Sequence, residues 1–399
     1  MLNSLSPFCE VIQTHIQSSP GSRISFSEFM EMALYHPQYG YYNTQAPQLG
    51  TQGDFFTSVH VGKDFGELLA EQFVEMDQYL GTPDSFTLVE MGAGQGFLAG
   101  DILRYLYRHF PAFFDRLHYR IVEKSTALRL EQQRQLQDVV TLGGRVQWCD
   151  LEELPAIVGC CFSNELIDAF PVHQVVWNAG QLQEVYVTTV QGEGSEAPFQ
   201  EVFGELSTSR FAEYFALIEV DFPSDKYPDG YRTEINLAAL NWLETIATKL
   251  QRGYLLTIDY GYPATRYYSP VRRQGTLQCY YQHTHHSNPY LQIGQQDITA
   301  HVDFTALERW GDRLGLQTIG FTQQSLFLMA LGLGDRLAEL SSLNPQATGQ
   351  ILQTLLQRRD ALHTLINPMG LGNFGVLAQG KGLTAAEQKE GLRGFKIPL

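Results

Sequence analysis

Residues 88–96 read Leu88-Val89-Glu90-Met91-Gly92-Ala93-Gly94-Gln95-Gly96, and this stretch decides the fold. An apolar run reaches an acid, Glu90, and then a turn carrying glycine at 92, 94 and 96. The residues after it have helical spacing, with Leu98, Ile102, Tyr105 and Leu106 on one face of a helix over 97–109. A strand, a glycine turn and a helix in that order is the unit with which open α/β sheets hold nucleotide-like ligands at the carboxyl ends of their strands.

Working outward, three more short runs end in acids. Residues 118–123 end at Glu123 and precede a helix that Ser125 caps; residues 146–150 end at Asp150. Residues 157–163 are apolar, as a central parallel strand covered on both faces must be, and run into Asn164-Glu165-Leu166-Ile167-Asp168-Ala169-Phe170-Pro171. Further strands are expected at 253–259, at 316–321 and at 374–379, with helices at 304–314 and over most of 326–366. This alternation predicts an α/β fold, a mainly parallel sheet with helices on both faces.

The rest of the chain decorates that core. Residues 1–80 read as mostly helical, with Ser27 as N-cap of 28–35, His36-Pro37 as its stop, and a second helix over 64–80. Residues 172–177 and 184–190 alternate around Asn178-Ala179-Gly180, a hairpin signal. Residues 211–250 read as helices around a loop at 223–230, and 262–300 as one long polar, aromatic loop. The expected division is an N-terminal helical cap over 1–85, a core over 86–380 with insertions near 200–250, 262–300 and 322–368, and a tail over 381–399, with no second core.

Composition narrows the function. The 399 residues carry a net charge of −16 without a basic stretch, which argues against nucleic acid as the main partner and leaves a basic protein substrate open. The five cysteines have no CxxC spacing, so a reducing compartment is expected and no metal site. No apolar run has the length of a membrane span, and residues 1–17 lack a basic leader pattern; the expected location is cytoplasmic, and the sequence is silent on oligomeric state.

The glycine turn discriminates among ligands. A dinucleotide fingerprint is G-x-G-x-x-G, but Phe97 occupies the third glycine position, and Glu123 lies farther on than the ribose-binding acid of that motif. Glu90 before the first glycine repels a pyrophosphate and suits a sulfonium ligand carrying an amino group. An oxidoreductase is therefore the weaker alternative, and S-adenosylmethionine the stronger assignment. In it Gly92, Gly94 and Gly96 let the backbone approach the ligand. Glu90 takes the amino group, Glu123 both ribose hydroxyls, and Asp150 or a nearby amide the adenine amine.

At this point the chain resembles the MidA-type S-adenosylmethionine-dependent methyltransferases. The resemblance rests on residues 53–71 (GDFFTSVHVGKDFGELLAE), 90–96, 164–171 (NELIDAFP), 259–261 (DYG), 296–304 (QDITAHVDF) and 367–377 (NPMGLGNFGVL). It implies a class I methyltransferase (Rossmann-like) fold and methylation of arginine on a core subunit of respiratory complex I (NDH-1), in aid of its assembly. An assembly chaperone that binds S-adenosylmethionine without turnover is the alternative. The family block around Thr57 and Ser58 puts these two, with Asn164 and Glu165, on the cofactor side; Val59-His60 replaces the family's Pro-Glu and leaves position 60 without a role.

Methyl transfer needs alignment of nucleophile, methyl carbon and sulfur, and an arginine substrate stays protonated in water. Carboxylates orient a guanidinium bidentately, so Glu165 and Asp168 are the catalytic candidates, with Asp259 and Tyr260 completing the pocket. The clustered His283, His285 and His286 are poorly spaced for zinc and are expected on a surface loop or in substrate contact. His301 and Asp303 are expected to hold the long loop.

Overall fold

The computed structural model describes residues 6–44, 58–190, 198–282, 284–342 and 349–396. They divide into two compact units. One comprises residues 56–166, 244–260 and 311–399, the other residues 1–55, 167–243 and 261–310.

The first unit is built on a seven-stranded sheet: β1 (Phe86–Met91), β2 (Leu117–Val122), β3 (Arg145–Cys149), β4 (Ile157–Asn164), β5 (Leu250–Asp259), β6 (Gln317–Gln323) and β7 (Gly375–Lys381). The order across the sheet is β3-β2-β1-β4-β5-β7-β6. The first five strands are parallel, and β7 runs antiparallel to both neighbours. The order reverses between β1 and β4, so the crevice at their carboxyl ends is the switch point where such sheets bind ligands. β1 and β4 are buried along nearly their whole length, as strands covered on both faces must be.

Helices α1 (Asp64–Tyr79) and α2 (Phe97–His109) supply the apolar cover. Phe65, Leu68, Leu69 and Phe73 of α1, and Leu98, Ile102 and Leu106 of α2, are buried in the same cluster as β1 and β4. Phe73 packs against Phe162 of β4 at 5.0 Å between ring centroids. Each such side chain contributes about 1.5–3 kcal/mol on burial. The expected boundary at 85/86 falls inside this unit, because α1 shares the core of the sheet that follows it.

The second unit holds what the sequence did not announce, a sheet and cores of its own. Strand Gln181–Thr189 pairs antiparallel with Ile24–Ser25, His173–Asn178 and Phe199–Gly204, and His173–Asn178 pairs in turn with Tyr231–Ile235. The hairpin turn is where expected: Ala179 and Gly180 both have positive φ, and Asn178 faces Gln181. Tyr231–Ile235 lies where only helices and a loop were expected. Its buried residues include Thr233 and Glu234, polar side chains that hid the strand period. Glu234 is buried because Thr276 donates to it from both its N–H (2.8 Å) and its hydroxyl (3.0 Å). Residues 262–300 are likewise ordered into short pairs, with Gln278–Tyr281 between Thr284–His286 and Asp297–Thr299. Helix Phe26–Tyr35 begins two residues earlier than expected, capped reciprocally by Ser25 and Glu28 rather than by Ser27.

Candidate active site

β1 carries Glu90 into the interior, where it is 3% exposed and in register with Ile121 and Phe162. The Tyr119 hydroxyl donates to Glu90 Oε2 at 2.6 Å. Burial pushes the Glu90 carboxyl up to about 7; the Tyr119 hydrogen bond opposes this and the Glu123 charge adds to it. Beyond Met91 the backbone turns through Gly92 and Gly94 at φ of 70° and 52°. A Cβ on Gly92 would lie 2.6 Å from Leu166 Cδ1, whereas one on Gly94 would meet nothing within 4 Å. Gly92 thus presses the turn against the residue after Glu165, and Gly94 borders open space.

Glu123 follows β2 and is 8% exposed. It accepts from the Ser125 N–H (2.9 Å) and from Gln132 Nε2 (3.1 Å), and burial pushes its carboxyl up to about 7. The same Gln132 amide donates to the Gly94 carbonyl at 2.8 Å, and its oxygen accepts from Trp148 Nε1 at 2.9 Å. One fully buried side chain therefore ties the glycine turn, the acid of β2 and the Trp of β3 together. Sequence reasoning missed Gln132, and nothing in the pattern distinguished it from its neighbours Gln133 and Gln135. Asp150 lies apart from this buried network: it is exposed and ion-paired with Arg129, whose Nε also donates to the Glu123 carbonyl at 2.5 Å.

At the end of β4, Glu165 has φ 51°, a left-handed conformation that is uncommon for a residue with a side chain. Its N–H donates to the Ile258 carbonyl (2.9 Å), and its Oε1 accepts from Asn164 Nδ2 (3.2 Å) and the Ser58 N–H (3.1 Å). Asn164 Oδ1 is buried with no hydrogen-bond partner among the described residues. Asp259, fully buried at the end of β5, accepts from the Leu166 N–H (3.2 Å) and the Tyr260 N–H (2.9 Å), so it staples the chain after β4 to the chain after β5. Tyr260 packs on Phe374 at 5.5 Å.

Ser58 is buried, and its hydroxyl meets Gln324 Oε1 at 3.3 Å. His60 sets its ring edge-on to Phe97, the first residue of α2, at 5.7 Å, and burial lowers its pKa. Position 60 thus supports the helix start. Thr57 and His283 lie outside the described residues. Asp168 belongs to the second unit, where it is 4% exposed and its carbonyl accepts from the Ala300 N–H (2.8 Å). His285 and His286 sit on the short strand Thr284–His286, and no group of three ligating side chains suited to a metal occurs among the described residues. Asp303 is buried and accepts from the Tyr214 hydroxyl and the Ala306 N–H.

The site is a turn of backbone beside open space, flanked by two buried carboxylates and by a buried amide oxygen with no described partner. Those donors and acceptors fit a ligand with an amino group, a diol and little negative charge.

The comparisons with known proteins agree. The S-adenosyl-L-methionine-dependent methyltransferase family matches residues 68–322. A COG1565 superfamily member from Burkholderia thailandensis, crystallised with S-adenosyl-homocysteine, is similar over 99% of this chain and 98% of its own, at 30% identity and a TM-score of 0.82. The mitochondrial protein arginine methyltransferase NDUFAF7 homolog of Drosophila melanogaster is 28% identical over 91% of this chain and 83% of its own length. Human NDUFAF7, named likewise, is 26% identical over 93% and 82%. With the sheet order, the glycine turn and the matched residues in accord, the chain belongs to the S-adenosyl-L-methionine-dependent methyltransferases of the MidA type, and its cofactor is S-adenosylmethionine.

Proposed function

We propose that the protein methylates an arginine on a protein partner, a respiratory-complex subunit such as a complex I (NDH-1) core subunit, and so assists its assembly. The names of its relatives support the arginine, and the family resemblance supports the subunit. The observation that carries the chemistry is Glu165, a half-buried carboxylate in a left-handed backbone conformation at the switch point of the sheet, its Oε1 accepting from two donors.

The cofactor supplies an electrophilic methyl on a sulfonium. Glu90 would hold its amino group, Glu123 its ribose hydroxyls and Asp150 its adenine amine, with Ser58 and Asn164 beside them. Glu165 would pair with the guanidinium and orient one of its nitrogens for methylation, and the proton released from that nitrogen would leave to water. Asp259 acts as a positioning residue, because its two backbone contacts fix the loops after β4 and β5. The five cysteines are buried free thiols, which supports a reducing, cytoplasmic setting. No helix among the described residues is long and apolar enough to cross a membrane.

Calorimetry with S-adenosylmethionine, followed by mass spectrometry of candidate subunits for methylarginine, tests the proposal. Glu165→Gln is expected to abolish transfer and leave cofactor affinity within about twofold, since glutamine keeps an acceptor oxygen for Ser58 and Asn164 and removes only the charge offered to the guanidinium. Full activity in that variant rejects the role. Cofactor binding without transfer to any subunit of the partner complex would instead mark a binding chaperone.

A further inference from the structure

Residues 261–300 hold three arginines and three histidines against a single acid, Asp297, a slight local excess of positive charge in a chain that carries −16. Two of those arginines converge on one ring. Arg266 Cζ lies 4.2 Å and Arg272 Cζ 4.7 Å from the centroid of Tyr262, within cation–π range. The two guanidinium carbons are therefore no farther apart than the sum of those distances. His301 stacks on the same Tyr262 ring at 5.0 Å with an 18° tilt. Burial, then Arg272 and Arg266, push the His301 imidazole down to about 4, so at neutral pH it adds no third charge.

Neither arginine has a carboxylate partner among the described residues, and Arg272 Nε is buried there without a hydrogen bond. The acids that could have neutralised them are engaged elsewhere. Asp303, in register with Tyr262, accepts from Tyr214 and Ala306, and Glu234 accepts from Thr276. Two like charges held on one ring face a counter-charge that this part of the chain does not supply. Arg266 is exposed and Arg272 half-buried, so guanidinium N–H donors remain for a planar anion.

We propose that Arg266 and Arg272, carried on Tyr262, form a docking site for the carboxylates of an acidic segment of the protein partner. The inference rests on the partner being a protein; it does not require that arginine be the methylated residue. A chain of this net charge repels an extended polyanion, whereas a short segment with one or two carboxylates matches two guanidinium forks.

The test is fluorescence anisotropy of the 399-residue protein with a short labelled peptide carrying one Asp and one Glu, its Asn/Gln counterpart, and inorganic phosphate as competitor. The acidic peptide is expected to bind in a salt-dependent way and the Asn/Gln peptide not to. Losing two charge-assisted contacts in R266Q/R272Q should weaken binding by about 100-fold. S-adenosylhomocysteine affinity, measured on the same samples, should be unchanged and certifies the fold. If the double variant fails to fold, R266Q alone, at an exposed side chain, should show about a tenfold loss. Unchanged affinity for the acidic peptide in a folded variant, or equal affinity for the Asn/Gln peptide, overturns the proposal. Displacement by millimolar phosphate overturns the assignment to carboxylates. Because no step uses methyl transfer, failure here and failure of the methylation reading are separate results.

Discussion

Glu90→Gln should move stability and cofactor affinity in opposite directions. In the folded protein burial raises the Glu90 carboxyl from 4.5 to about 7. A folded-state pKa above the unfolded one means that the native state holds the extra proton between these values. The group's contribution is therefore fully present below pH 4.5 and is lost as pH rises through 7. That interval corresponds to about 3 kcal/mol at pH 8. Glutamine fills the same space, can still accept from the Tyr119 hydroxyl and does not titrate, so it escapes this loss. Urea unfolding of the cofactor-free protein should show the variant close to wild type at pH 4.5 and more stable by about 2–3 kcal/mol at pH 8. Calorimetry at pH 8 should show S-adenosylhomocysteine bound about tenfold or more weakly, because the amino group loses an ionised partner. A variant that is less stable than wild type at pH 8, or that binds cofactor equally well, would refute the reasoning that this carboxylate is buried for the ligand's sake.

Two further outcomes follow from the geometry. Gly94→Ala places a Cβ in open space at a left-handed φ, so unfolding should show a loss of only about 1 kcal/mol while cofactor affinity falls at least about tenfold by calorimetry. Unimpaired binding would mean that the ligand does not sit on this turn. Asp259→Asn keeps the volume of a buried side chain but turns an amide N–H toward a backbone N–H that the carboxylate accepts from, so methyl transfer should fall by about tenfold or more. Turnover equal to wild type, followed by mass spectrometry, would remove Asp259 as a positioning residue.

The parts of this protein legible in its sequence are those set by near neighbours. The apolar run, the three glycines and the helical spacing after them specify β1, the turn and α2 within about twenty residues, because strand period and positive φ are local properties. Acids at the ends of β1 and β2 could be ranked for the same reason, and both proved buried. What the tertiary structure decided depends on residues far apart in the chain. Gln132 matters because it reaches Gly94, 38 positions away, and Asp259 because it reaches Leu166, 93 positions away. Asp150, like Glu90 and Glu123 an acid at a strand end, is instead exposed and ion-paired with Arg129. The second sheet was legible in its hairpin but not in its strand Tyr231–Ile235, which buries Glu234 against donors from the distant Gln174, Tyr267 and Thr276. Local pattern states which backbone forms. Burial, and the partner that makes a buried polar group affordable, exist only once the chain has folded.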